Sequence, residues 1–200
     1  MIKNVVFDIG NVLADFKIVE FLAKKGYDEL TIKRIIKASA LSPYWEQFER
    51  AEITEDEALK AFASLDPEIE GALADSFTNI EGMITPREFA IPLIKGLKES
   101  GYNVYYLSNY SKKAYEECKS SVEFMEYTDG GVLSFQAGMT KPNPDMYKLL
   151  LDKYGLNPEE TVFVDDTKEN IDVANELGFV GIVYESYEQM MSQFKANDIQ

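Results

Sequence analysis

The sequence predicts an α/β protein: a doubly wound parallel sheet with a small α-helical insert after its first strand. Three observations carry this. The C-terminal half repeats one unit of helix, glycine and apolar strand, in IPLIKGLKESGYNVYYLSN, MYKLLLDKYGLNPEETVFVDD and NIDVANELGFVGIVYE. Alternating helices and uninterrupted apolar strands signal βαβ units around a sheet buried on both faces. The N-terminus supplies one more such strand at residues 2–8, inside which VVFDIGNVL begins. Between these regions, residues 16–84 keep a helical period and contain no convincing strand.

In chain order, the first strand ends at Asp8 and runs into Gly10. The segments FKIVEFLAKKGY, TIKRIIKASAL, YWEQFERAEI, TEDEALKAFASL and EIEGALADSF then read as successive helices. Thr54 and Glu57 form a capping-box pattern at the start of one of them. The expected organisation is therefore a core of residues 1–15 plus 85–200 with a helical insert at 16–84. In the core, Gly101, Gly155 and Gly178 stop helices. VLSF, residues 132–135, reads as a further short strand, and Asn143 with Pro144 as a helix start. No repeat beyond the βα unit and no flexible linker is evident.

Composition narrows the chemistry. The 200 residues are 46% hydrophobic and 28% charged, as in globular domains, with room for a real core. No apolar run approaches the length of a membrane span, and MIKNVVFD lacks a signal-peptide core, so the expected location is cytoplasmic. Cys118 is the sole cysteine, which excludes an internal disulfide; it reads as a helix residue without a redox role. A net charge of −15 argues against nucleic acid or anionic membrane as partners. The chain has no histidine, which excludes imidazole acid–base catalysis and His-ligated zinc. Catalysis is left to carboxylates, lysine, hydroxyls, Cys118 or an oxygen-held metal.

Polar groups gather where strands end, which is where open parallel sheets bind ligands. Asp8 ends the first strand, Ser108 and Asn109 end VYYLSN, Asp165 and Asp166 end TVFVDD, and Lys141 precedes a helix. Singly, each suits an ordinary turn or a solvated side chain. The adjacent Asp165 and Asp166 are different, because two carboxylates closing an apolar strand repel unless a cation joins them.

The succession D-x-x-x-V, S-N, K-P and D-D-x-x-x-N resembles the signatures of the haloacid dehalogenase superfamily, over essentially the whole chain. The resemblance implies a Rossmann-like core, a small cap in the insert, and motifs converging on one phosphate and one Mg²⁺. It makes Asp8 the nucleophile that forms an aspartyl-phosphate. Asp8, the Gly10 carbonyl, Asp165 and Asp166 would hold the metal, and Asn170 would bind a metal-bound water or orient a ligand carboxylate. Lys141 would neutralise phosphoryl charge, while the Ser108 hydroxyl and the Asn109 N–H donate to phosphoryl oxygens. The physics agrees: a carboxylate attacking an anionic phosphate needs its repulsion cancelled, and a hard cation held by oxygens does so.

Gly10 departs from the usual D-x-D, in which the second aspartate is the general acid/base. The D-[IL]-G-N-V form resembles a branch of sugar-phosphate phosphatases. The implied protein is a Mg²⁺-dependent phosphatase of a small phosphorylated metabolite, with a sugar phosphate expected. Without that proton shuttle, leaving groups needing little protonation, as in anomeric sugar phosphates or acyl phosphates, are favoured. Asp15 is the nearest carboxylate to stand in, or else it caps the hinge. Two other readings stay open: a metal-independent haloacid dehalogenase, against which the acidic pair argues, and a non-catalytic phosphate-binding protein, which Gly10 favours. In the insert, Tyr44, Trp45, Phe48 and Arg50 cluster; Trp45 would stack on substrate and Arg50 hydrogen-bond it, or the aromatics are simply core. Nothing in the sequence fixes an oligomeric state.

Overall fold

The structure, a computed structural model, describes residues 1–199. The chain opens with β1 (Asn4–Phe7) and β2 (Ala14–Phe16). There follow α1 (Ile18–Lys24), α2 (Glu29–Ala38), α3 (Trp45–Glu49), α4 (Glu55–Leu65) and α5 (Glu70–Ser76). After β3 (Ile84–Pro86) come α6 (Ala90–Glu99), β4 (Asn103–Ser108), α7 (Lys112–Glu117), β5 (Gly130–Leu133) and α8 (Ser134–Ala137). The chain closes with α9 (Pro144–Tyr154), β6 (Thr161–Asp165), α10 (Lys168–Glu176), β7 (Val180–Val183) and α11 (Tyr187–Ala196).

The main sheet has the order β5-β4-β1-β6-β7, with every neighbouring pair parallel. Helices cover both faces. Val6, Leu107 and Phe163 pack under Met146, Tyr147 and Leu150 of α9. On the other face Val5, Phe7 and Val164 meet Ile94 of α6 and Met190 and Phe194 of α11. The apolar strands are continuous because both sides are buried. β1 is central, and the winding reverses there, so its C-terminal end is the topological switch point. Phe7 is in register with Val164, so Asp8 and Asp165 leave the sheet side by side.

The sequence misses two features of the sheets. β2 and β3 pair antiparallel at the two ends of the helical segment, Asp15 opposite Thr85. Three-residue strands are too short to display an alternation. β5 begins at Gly130, earlier than VLSF suggests, and Ser134 and Phe135 already belong to α8. Gly131 lies opposite Tyr106, and a Cβ there would sit 2.4 Å from the Tyr106 carbonyl oxygen. The close approach requires the glycine that disguises the strand.

Local signals elsewhere hold. Thr54 and Glu57 make the reciprocal capping box of α4, and the Asn143 side chain accepts the Asp145 N–H ahead of α9. Gly155 ends α9 at φ 63°, a left-handed cap. The helices of the insert enclose an aromatic cluster of Trp45, Phe48, Phe62 and Phe77, with ring centroids 5.6–6.3 Å apart. Among the described residues, no helix is long and apolar enough to cross a membrane.

Candidate active site

β1 delivers Asp8 to the switch point, where the Asp8 N–H still bonds Val164 O at 2.8 Å. Asp8 Oδ1 accepts the Ile9 N–H at 2.7 Å and lies 2.9 Å from Lys141 Nζ. The same ammonium reaches Asp165 Oδ2 at 2.5 Å. Asn109 fixes the backbone that carries this lysine, with Oδ1 accepting the Lys141 N–H (2.8 Å) and Nδ2 donating to Lys141 O (3.0 Å). Ser108, buried at the end of β4, places its hydroxyl against Asp8.

The two carboxylates at the end of β6 diverge. Asp165 is fully buried. It accepts from the Thr167 N–H at 2.8 Å, from Asn170 Nδ2 at 3.0 and 3.1 Å, and from Lys141. Those contacts occupy the acceptor directions of both oxygens. Asn170 therefore holds Asp165 in place, and the Tyr147 hydroxyl anchors its carbonyl at 2.9 Å. Asp166 is exposed toward the cavity and receives Asn11 Nδ2 at 3.0 Å. Asn11 is in the left-handed region, at φ 56°, which aims its amide back at Asp166.

Asp8, Asp165 and Asp166 each present an oxygen within 4.8 Å of the others. One ammonium, Lys141, pairs with two of these three carboxylates. Burial pushes Asp8 up to about 6 against the pull of Lys141, with Asp165 adding repulsion. Burial also works against the Lys141 ammonium, but Asp8 and Asp165 outweigh it and hold its pKa above the ordinary lysine value. A compact, all-oxygen donor set with surplus negative charge fits a hard divalent cation.

A cavity of about 290 Å³ opens over this cluster. Asp8, Gly10, Asn109 and Asp166 line it from the core, and Trp45 and Glu49 from α3. Trp45 and Glu49 are four residues apart on one helical face. Arg50 lies on another face and does not line the cavity, contrary to its expected contact with substrate. Its guanidinium pairs with Glu46 (3.3 Å) and Glu52 (2.9 Å) and lines a separate hollow beside Pro142 and Asn143. Phe48 belongs to the aromatic core, whereas Trp45 serves both core and cavity.

Asp15 is likewise drawn away. Its carboxylate binds Arg87 Nε at 2.8 Å, and Arg87 Nη1 donates to the Tyr184 hydroxyl at 2.5 Å, a tie between the small sheet and the residue after β7. At Gly10 a Cβ would meet nothing within 4 Å, and the residue is not in the left-handed region, so nothing steric demands glycine there. Cys118 is buried after α7, and burial raises its thiol to about 11, which keeps it protonated and unreactive.

Glu49, Asn11 and Thr167 escaped the sequence reading. Glu49 carried a signal only in its spacing from Trp45, and Asn11 only in following a glycine at a strand end. Burial pushes the Glu49 carboxyl up to about 7, with Trp45 favouring the anion, Asp8 opposing it and Lys141 assisting it.

An open parallel sheet with a carboxylate cluster and a buried lysine at its switch point is the frame of a hydrolase. The family model for haloacid dehalogenase-like hydrolases matches residues 2–178, and the chain belongs to that family. It is 30% identical over 195 residues to D-ribitol-5-phosphate phosphatase of Bacteroides thetaiotaomicron, covering 90% of each chain. It is 27% identical to the sesquiterpene phosphatase astK of Aspergillus oryzae, over 90% of this chain and 88% of that one. A crystal structure of a HAD family enzyme from B. thetaiotaomicron, in complex with magnesium and inorganic phosphate, superposes with a TM-score of 0.72. The two are 25% identical, and the match covers 95% of this chain and 99% of that one.

Proposed function

We propose that the protein is a Mg²⁺-dependent phosphatase that hydrolyses a small phosphorylated metabolite through an aspartyl-phosphate on Asp8. The observation that carries this is the cluster of Asp8, Asp165 and Asp166 beneath one cavity, with Lys141 bridging the first two. Asp8, the Gly10 carbonyl and Asp166 would hold the metal. Asp165, whose oxygens are already engaged, acts instead by orienting Lys141. When bound, the ion offsets the negative charge that nucleophile and phosphate bring together. Asp8 attacks phosphorus, and the phosphoryl–oxygen bond to the leaving group breaks. Lys141 keeps Asp8 ionised and binds phosphoryl oxygen; Ser108 and the Asn109 N–H supply further donors. Water then cleaves the aspartyl-phosphate to orthophosphate.

A sugar or sugar-alcohol phosphate is the proposed substrate. The D-ribitol-5-phosphate phosphatase relative supports it, as does the Trp45 ring in the cavity wall, a surface on which a sugar stacks. Helices α1–α5 would act as the cap that excludes water during turnover. An apolar leaving group is the second reading, favoured by Phe16, Ala40 and Ile84 in the same wall and by the sesquiterpene phosphatase relative.

Phosphate release from a panel of sugar, polyol and prenyl phosphates tests these readings. Wild-type activity should vanish with EDTA and return with Mg²⁺, and Asp8→Asn should remove at least about 10³-fold of kcat. Full activity in EDTA would point to metal-free chemistry, and tight phosphate binding without turnover in wild type and Asp8→Asn alike would make the protein a binder.

A further inference from the structure

We propose that Glu49, carried by the helical insert, is the general acid/base of this active site and does the work of the aspartate absent at Gly10. The proposal rests on the phosphatase reading above.

An alkoxide leaving group needs a proton, and the water that cleaves the aspartyl-phosphate must lose one. With glycine at position 10 and no histidine in the chain, another carboxyl must face the cavity. Asp15 is held by Arg87 outside it, and Asp8 is the nucleophile. Asp165 is saturated by Lys141, Thr167 and Asn170. Asp166 is bonded to Asn11 on the metal side. Glu49 lines the cavity from the opposite wall, where a leaving group would emerge, and among the described residues its carboxyl is in no ion pair.

Its position is also fixed. α3 ends at Glu49, and the Ser134 hydroxyl donates to the Glu49 carbonyl at 2.8 Å. That hydroxyl accepts the Tyr110 N–H at 2.8 Å, next to Asn109. The insert is thus pinned to the loop that follows β4. The groups facing the carboxyl are the Trp45 indole and Glu46 from its own helix, Asp8 from the end of β1, and Lys141 from the loop before α9. Burial is the largest influence on it, and a carboxyl titrating at about 7 can both give and take a proton near neutrality.

The step balances. Asp8 forms a bond to phosphorus as the bond to the leaving oxygen breaks, and that oxygen takes the Glu49 proton. The Glu49 carboxylate next removes a proton from water, whose oxygen attacks phosphorus. The Asp8–phosphorus bond breaks, leaving orthophosphate, an ionised Asp8 and a protonated Glu49.

The test compares two leaving groups in wild type, Glu49→Gln and Glu49→Asp. With an alkyl phosphate such as glycerol 3-phosphate, Glu49→Gln should lose about 10²-fold or more in kcat with little change in KM. With p-nitrophenyl phosphate, whose leaving group needs no proton, it should release a burst of one p-nitrophenolate per enzyme and then turn over slowly. The ionisation near pH 7 should leave its pH profile, and Glu49→Asp should recover part of the rate. Adding Gly10→Asp to Glu49→Gln should also restore alkyl phosphate turnover, since that position has room for the side chain. Equal losses on both substrates without a burst, or an unchanged pH profile, would overturn the assignment. Retained activity in Glu49→Gln alongside a dead Asp8→Asn would overturn it while leaving the phosphatase intact; an active Asp8→Asn would instead remove the phosphatase reading itself.

Discussion

Lys141 brings one positive charge to a site that Asp8 and Asp165 share, and Glu49 lies within reach of the same field. Burial raises Asp8 to about 6 and Glu49 to about 7, so both bind a proton more tightly folded than unfolded. Their favourable contribution is therefore complete below about pH 4 and is lost as pH rises through about 6 and 7. Metal-free protein should therefore have a higher urea midpoint at pH 5 than at pH 8. Glu49→Gln should flatten that difference by stabilising the protein at pH 8, and a midpoint that rises with pH instead would contradict the assigned shifts. Asp8, Ser108, Lys141 and the acidic pair were visible in the sequence because strand ends and their order mark them. Glu49 was not: residues four apart on a helix occur everywhere, and only folding shows which face turns to the cavity. Arg50 was misread for the same reason, since Glu46 and Glu52 draw its guanidinium to another face.

At the scale of elements, the insert stands on its aromatic cluster and on a few polar ties to the core. Phe62 is wholly buried between Trp45 and Phe77, so Phe62→Ala should cost about 3–5 kcal/mol in urea unfolding. Beside a separate hollow, Lys113 Nζ of α7 binds Glu55 of α4 at 3.0 Å while also holding Glu117 at 2.6 Å, an ion pair between the insert and the core. Glu55→Gln should weaken closure and raise KM severalfold with kcat little changed. The effect should shrink at high salt, because partly exposed ion pairs are screened. The helices and the long strands were apparent from periodicity and glycine stops. β2 and β3 were not, since a three-residue pairing is specified by its partner and not by its own pattern.

For the whole molecule, charge decides how substrate arrives. A protein of net charge −15 repels at distance an anionic phosphomonoester, the substrate proposed above. Raising ionic strength from about 10 to about 150 mM shortens the reach of that field from about 30 to about 8 Å. kcat/KM should accordingly rise over this range at fixed free Mg²⁺; a steady fall would mean the cavity's local field governs encounter. The Ser134 hydroxyl gives the molecule a last property. It joins the turn after β4 to the tip of α3 in one short relay. If that turn grips phosphate and Glu49 donates the proton, as proposed, a shift of the one would carry the other with it, gearing occupancy to chemistry, and a misplaced ligand would idle the machinery instead of being processed slowly.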